Sequence, residues 1–173
     1  PSFCGPNHPA ITLNGLPTGG VYSGPGVSGN TFDPSVAGVG THTIRYTVTA
    51  GGCATSAQRT VTISEVPSVT LSPDITILYG TSTSLSAQAT GGSGNYTFQW
   101  SPADSLLGNG TGTNVTTQNL TTPNDFVVRV TDNVSGCIVS DTVRVGIFGG
   151  PLQVFLSVSK DTICVGEQVE LSA

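Results

Sequence analysis

Gly91–Asp104, GGSGNYTFQWSPAD, holds the chain's only tryptophan, Trp100. Tyr96, Phe98 and Trp100 occupy every second position with Thr97 and Gln99 between them, the period of a strand that buries one face. Glycine and serine precede this run and Ser101-Pro102 ends it, so both ends break regular pairing. The stretch predicts a central strand of a small antiparallel domain. Aromatic rings can also form a flat platform for sugar, but alternation inside a central strand places them in a core.

The rest of the 173 residues share this character. Thr, Ser, Val, Gly and Asn dominate, and no window carries apolar residues at helical spacing for more than a turn, so the chain reads as all-β. Ten acidic residues against five basic ones give a formal net charge of -5, and no basic cluster could follow a phosphate backbone, which excludes nucleic acid as a partner. No apolar run approaches the roughly 20 residues that span a bilayer, so membrane insertion is not expected. No signal peptide or initiator methionine is present, and the sequence reads as an internal cut from a longer chain.

The strand pattern repeats. An opening unit, 1–65, has Ala10–Leu13, then GGVYSGPGV over Gly19–Val27, then THTIRYTV with Ile44, Tyr46 and Val48 on one face, and finally RTVTI over Arg59–Ile63. Within it Val21-Tyr22-Ser23-Gly24 mirrors Gln99-Trp100-Ser101-Pro102, so Tyr22 is expected in the core place that Trp100 takes later. A second unit, 66–148, runs through SVTLSPDITIL, the Trp100 strand, and DFVVRVT with Phe126, Val128 and Val130 inward, before a final hairpin opened by Cys137. From 149 the pattern starts a third time, and Cys164 falls opposite Leu78. The opening unit has no counterpart of the lead-in strand, so it reads as a sandwich lacking its first strand. Repeats of this length mean a tandem array whose members act as spacers or presenters.

Four cysteines, Cys4, Cys53, Cys137 and Cys164, are too far apart for a metal or redox motif and fit disulfides in an oxidising compartment. Cys4 and Cys53, at the start and in the last hairpin of the opening unit, are expected to pair, worth about 4 kcal/mol on the chain-entropy treatment. Leu78 stands where a partner for Cys137 would be, so Cys164 looks for a partner beyond Ala173. A Cys137–Cys164 bridge across the second linker is the alternative.

TICVGEQVELSA, YTFQWSPADSLLG, VTDNVSGC followed by SDTVRV, and LPTGGVYSGPGVSGNTFDPSVAGVGTHTIRYTV together resemble the immunoglobulin-like and PKD-like repeats of Bacteroidota surface proteins. The resemblance covers nearly the whole chain; Leu78 departs from it. It implies tandem immunoglobulin-like antiparallel β-sandwich domains in a large extracellular surface protein, such as a gliding-motility adhesin exported by the type IX secretion system. The alternative it implies is the stalk or carbohydrate-binding spacer of a secreted polysaccharide-degrading enzyme. Partners would be neighbouring repeats of the same chain, with surface glycans or other cell-surface and secretion proteins reached through loops such as Leu106–Thr113. It also makes Asp104-Ser105-Leu106 a match to an Asp-Ser/Thr-apolar O-glycosylation motif, with Ser105 as acceptor in an exposed loop.

The residues show no nucleophile with a base and no carboxylate pair across a cleft, so no catalytic residue and no enzyme activity are expected. No cofactor is expected either. Asp74, Asp125, Asp132, Asn133 and Asp161 are candidate oxygen ligands for calcium at domain ends, but turn capping explains them more simply. His8 and His42 lack a further ligand at metal spacing and read as surface residues.

Overall fold

The computed structural model describes residues 1–151 together with 157, 158, 165, 171 and 172. The opening residues form β1 (Ser2–Cys4), β2 (Ile11–Thr12), β3 (Val21–Ser23), β4 (Val27–Ser28), β5 (Thr31–Phe32), a single helical turn α1 (Pro34–Ala37), β6 (Gly40–Ala50) and β7 (Cys53–Ser64). One sheet has the order β1-β7-β6-β3 and the other β2-β5-β4. Phe32, Ile44, Val61 and Ile63 are buried between them, with Phe3, Ile11, Leu13 and Tyr22 packed around. Asp33 starts α1 by accepting the Ser35 N–H at 2.9 Å, and Pro34 occupies the first helical position. Gly51 and Gly52 connect β6 to β7 with φ of 58° and 81°, the two left-handed positions that a two-residue hairpin turn requires.

The second unit has β8 (Ser68–Leu71), β9 (Ile75–Leu78), β10 (Ser84–Thr90), β11 (Tyr96–Ser101), a 3-10 turn (Ala103–Ser105), β12 (Leu106–Leu107), β13 (Asn114–Thr117), β14 (Asn124–Asp132) and β15 (Ile138–Phe148). Its sheets are β12-β13-β10-β8 and β9-β15-β14-β11. This is the A-B-E-D over G-F-C arrangement of an immunoglobulin-like sandwich, with the first strand split so that β9 crosses to the second sheet and runs parallel to β15. The chain is therefore all-β, built of tandem immunoglobulin-like sandwiches that are antiparallel except where β1 and β9 join. Trp100 is 0% exposed, and Phe126, Val128 and Val130 are buried with it, so β11 and β14 each turn one face inward. The Trp100 Nε1–H donates to Gly112 O at 3.0 Å, which satisfies the indole's polar atom inside the core.

The registers of the two units superpose by simple offsets. Cys4 pairs with Ser64 at the end of β7, and Leu78 with Phe148 at the end of β15. Cys53 lies opposite Ala50 at the tip of one hairpin, and the Cys137 carbonyl accepts from Asp132 at the tip of the other. Tyr22 faces Tyr46, four residues before Ala50, and Trp100 faces Val128, four residues before Asp132. Tyr22 therefore holds the place of Trp100, Cys4 that of Leu78, and Cys53 that of Cys137. No described strand of the first unit corresponds to β8.

The expected Cys4–Cys53 bridge is not formed. The disulfide joins Cys4 to Cys137, with Cα atoms 5.4 Å apart, and Cys53 is free and exposed. The reason is strand length. Cys4 sits beside Ser64 while Cys53 opens the same strand eleven residues earlier, roughly 36 Å away at strand rise, and a bridge spans only about 4–7 Å. The alternative Cys137–Cys164 bridge is overturned for the same sulfur. The third unit expected from 149, with Cys164 and Asp161, lies outside the described residues, apart from the antiparallel pairing of β16 (Ser157–Val158) with β17 (Leu171–Ser172).

Candidate functional site

The Cys4–Cys137 bridge joins the linker end of the first sandwich to the hairpin tip of the second, and the surrounding side chains hold that tip in place. Asp132, the last residue of β14, is 0% exposed. Its carboxylate accepts from Ser93 N at 2.6 Å and Ser93 Oγ at 2.7 Å, and from the N–H groups of Val134 at 2.9 Å and Ser135 at 3.0 Å. Two further bonds complete the loop, Gly136 N to Asp132 O at 2.8 Å and Cys137 N to Ser135 Oγ at 3.2 Å. The donors from Ser135 and Ser93 outweigh desolvation and hold the Asp132 carboxyl well below the usual carboxylate range.

Asp132 thus ties together the loop that carries Cys137 and the Gly91–Ser93 turn before the Trp100 strand, beside the joint with the first sandwich. Gly92 takes a left-handed φ of 58°, and a Cβ there would run into Asp132 Oδ2, so glycine is required on both counts. Across the joint, Gly92 N donates to Glu65 Oε2 at 3.2 Å. A small cleft of about 290 Å³ lies between Val39, Ser64 and Glu65 on one side and Ser93, Asp132 and Val134 on the other.

The four described oxygen ligands considered for calcium, Asp74, Asp125, Asp132 and Asn133, are engaged elsewhere. The Asp132 carboxylate is taken up by Ser93 and by the Val134–Ser135 loop. Asn133 bonds Thr97 and Asn95, each at 2.8 Å, Asp74 accepts from Arg144 N at 2.8 Å, and Asp125 pairs with the Arg144 guanidinium at 3.1 Å. Among the described residues, no three His, Cys, Asp or Glu side chains come together as a metal-ligand set. His42 donates Nε2–H to Gly38 O at 2.8 Å, and the His8 ring packs on Phe3 with centroids 4.8 Å apart.

Ser105 is half-buried in the 3-10 turn rather than displayed on an open loop, and its Oγ accepts from Asn124 Nδ2 at 2.9 Å. Burial of the next residue, Leu106, draws it inward. The segment after it is folded back on the tryptophan strand: Gly110 O accepts from Trp100 N at 2.7 Å, and Thr111 bridges Gln99. Of the aromatic triplet, Phe98 and Trp100 face the core, while half-buried Tyr96 donates its hydroxyl to Gly91 O. Tyr22 packs on Tyr46, with centroids 4.5 Å apart, beside an open cleft of the first sandwich. Its hydroxyl is buried with no hydrogen-bond partner, and burial, then Tyr46, push its pKa up.

The role of the joint was not expected from sequence. The signal that marks it is the turn VTDNVSGC, where an aspartate ends one strand, a glycine closes the turn and a cysteine opens the next.

No protein-family model and no curated protein matches the chain. Solved structures do. Drosophila OTK extracellular domains 3–5 share 13% identity over 86% of this chain and 59% of that one, with a TM-score of 0.46. DIP-gamma IG1+IG2 shares 14% over 64% and 60%, with a TM-score of 0.41. The N-terminal four Ig domains of Dscam1 share 11% over 85% and 43%, with a TM-score of 0.38. This chain spans less than two thirds of the length of each. It is the strand order described above that defines the sandwiches.

Proposed function

We propose that the chain is a structural and adhesive repeat segment of a large extracellular surface protein. The observation that carries this reading is the disulfide that crosses from one sandwich to the next. A bridge inside a sandwich stabilises that sandwich alone, whereas one across a linker holds consecutive modules at a set angle. Such bonds persist in oxidising surroundings, which fits an extracellular position at the cell surface. Residues 1–65 and 66–148 are the two domains of this reading, and 149–173 opens a third. Neighbouring repeats are then the first partners, with surface glycans or other cell-surface and secretion proteins as ligands.

The resemblance to Bacteroidota surface repeats extends the proposal to a gliding-motility adhesin exported by the type IX secretion system. A stalk in a secreted polysaccharide-degrading enzyme would use the same joint, but a carbohydrate-binding role would need a platform other than Phe98 and Trp100. Antibody raised against residues 1–148 is expected to label intact cells that make the parent protein and to block their attachment to a surface. Labelling only after the cells are opened would overturn the surface reading; labelling without any effect on attachment would favour the stalk.

A further inference from the structure

The second sandwich shows how its first strand is seated. β8 pairs with β10 through Leu71↔Ala87, Thr70↔Gln88, Val69↔Ala89 and Ser68↔Thr90, and it also packs along β15. Val69 and Leu71 turn toward the core, and Ser72 donates its N–H to Ser86 O at 2.9 Å. Ile11 follows Cys4 by seven residues, as Leu85 follows Leu78, so the residues of the first sandwich that correspond to Ala87–Thr90 are Leu13–Leu16. The ladder agrees: Leu13 N bonds Asn30 O at 2.8 Å, as Ala87 N bonds Thr113 O at 2.8 Å.

In the first sandwich this edge is open. A cleft of about 430 Å³ runs between Leu13–Leu16 and the Ala57–Val61 part of β7, the two walls that hold β8 in the second. Leu16 is 86% exposed there, and Tyr22, with its unpartnered hydroxyl, lines the same cleft. At the same end stands Cys53, free and exposed, in the place that Cys137 fills when it bonds Cys4. Strand edge and cysteine are two separate features of the joint between the sandwiches, and both recur on this outer end without their partners.

We propose that this end of the first sandwich receives a preceding module of the same kind. Its trailing segment adds a strand beside Leu13–Leu16, as β8 does beside β10, and a cysteine at its Cys4 position bonds Cys53. This rests on the reading of the chain as joined modules. In the covalent step the two thiols give up two protons and two electrons to a small-molecule disulfide oxidant, which leaves as two thiols while the new S–S bond forms.

The test is a chain in which a copy of residues 1–74 is placed directly ahead of Pro1, so that the copied Ser68–Leu71 falls in register with Leu13–Leu16. The product is oxidised with oxidised glutathione and mapped without reduction. Two bridges are expected: Cys4 of the added copy to Cys53, and Cys4 to Cys137. Amide exchange at Asn14 and Leu16, the equivalents of Gln88 and Thr90, is expected to slow at least about ten-fold. Val69→Asp with Leu71→Asp in the added copy should return both amides to the rates of the unextended chain. If Cys53 stays open to alkylation, or Asn14 and Leu16 exchange as before, while Cys4–Cys137 is present, the proposal is overturned and the reading of joined modules stands. Loss of Cys4–Cys137 itself would overturn both.

Discussion

The two sandwiches share one register and solve the same packing problem with different completeness. Around Trp100 the second has eight strands, a filled core and an indole whose N–H is satisfied; around Tyr22 the first has seven, an open edge and a hydroxyl without a partner. Where the first strand is seated, the core closes over a tryptophan. In the first sandwich Tyr22 is half-buried, and β2 in the facing sheet is only two residues long. A strand that is lost from an edge costs the units it would have covered as well as its own contacts.

The comparison can be broken first at the cysteines. Cys137→Ser opens a loop with a separation of 133 residues, and the chain-entropy limit for a loop of that size is about 5 kcal/mol. Cys53→Ser is expected to leave denaturant unfolding unchanged. Equal effects from the two variants would mean that the pairing is not Cys4 to Cys137. Next comes the core aromatic. Trp100→Ala should cost the second sandwich about 3–5 kcal/mol in urea unfolding followed by circular dichroism. Tyr22→Ala should cost the first sandwich less, since its side chain fills less of a closed core.

A third test is acid. The Asp132 carboxyl has its folded pKa lowered by the Ser135 and Ser93 donors. Its contribution is present above the ordinary aspartate range and is lost as pH falls through that range toward the lower folded value. Thermal melts between about pH 5 and pH 2 should therefore fall less steeply for Asp132→Asn than for the parent chain, and parallel curves would remove Asp132 from the account of the joint. The smallest effect is expected from Tyr22→Phe. It removes a buried hydroxyl that bonds nothing, so the first sandwich should be as stable or slightly more so.

Much of the fold was legible because strands announce themselves locally. Alternation in YTFQW and DFVVRV fixes which side chains point inward, and burial of Phe98, Trp100, Phe126, Val128 and Val130 follows from it. The correspondence of Tyr22 with Trp100 was legible for the same reason, since residues that flank equivalent turns keep equivalent registers. The joint was not. Cys4 and Cys53 open and close one repeat in sequence, yet β7 carries one of them to the opposite end of the sandwich from the other. Their true relation appears only when repeats are compared across the linker, because Cys4 meets the residue equivalent to Cys53 in the next module. Asp132 was legible as a turn aspartate, but its place beneath the disulfide depends on how Gly92 and Ser93 fold onto it from about forty residues away in sequence.

The position of the Cys4–Cys137 bond has a mechanical consequence. When the chain is pulled between Pro1 and Gly149, tension enters through the first four residues and passes through the sulfur atoms directly to β15. Along the covalent chain, the residues between Cys4 and Cys137 are bypassed. Fully drawn out they would add roughly 450 Å of length, and that length is withheld as long as the bond lasts. Either sandwich can then lose its fold under load without lengthening the molecule by more than its outer strands allow. A reductant, by cutting one covalent bond, would turn a tether of nearly constant length into an extensible one.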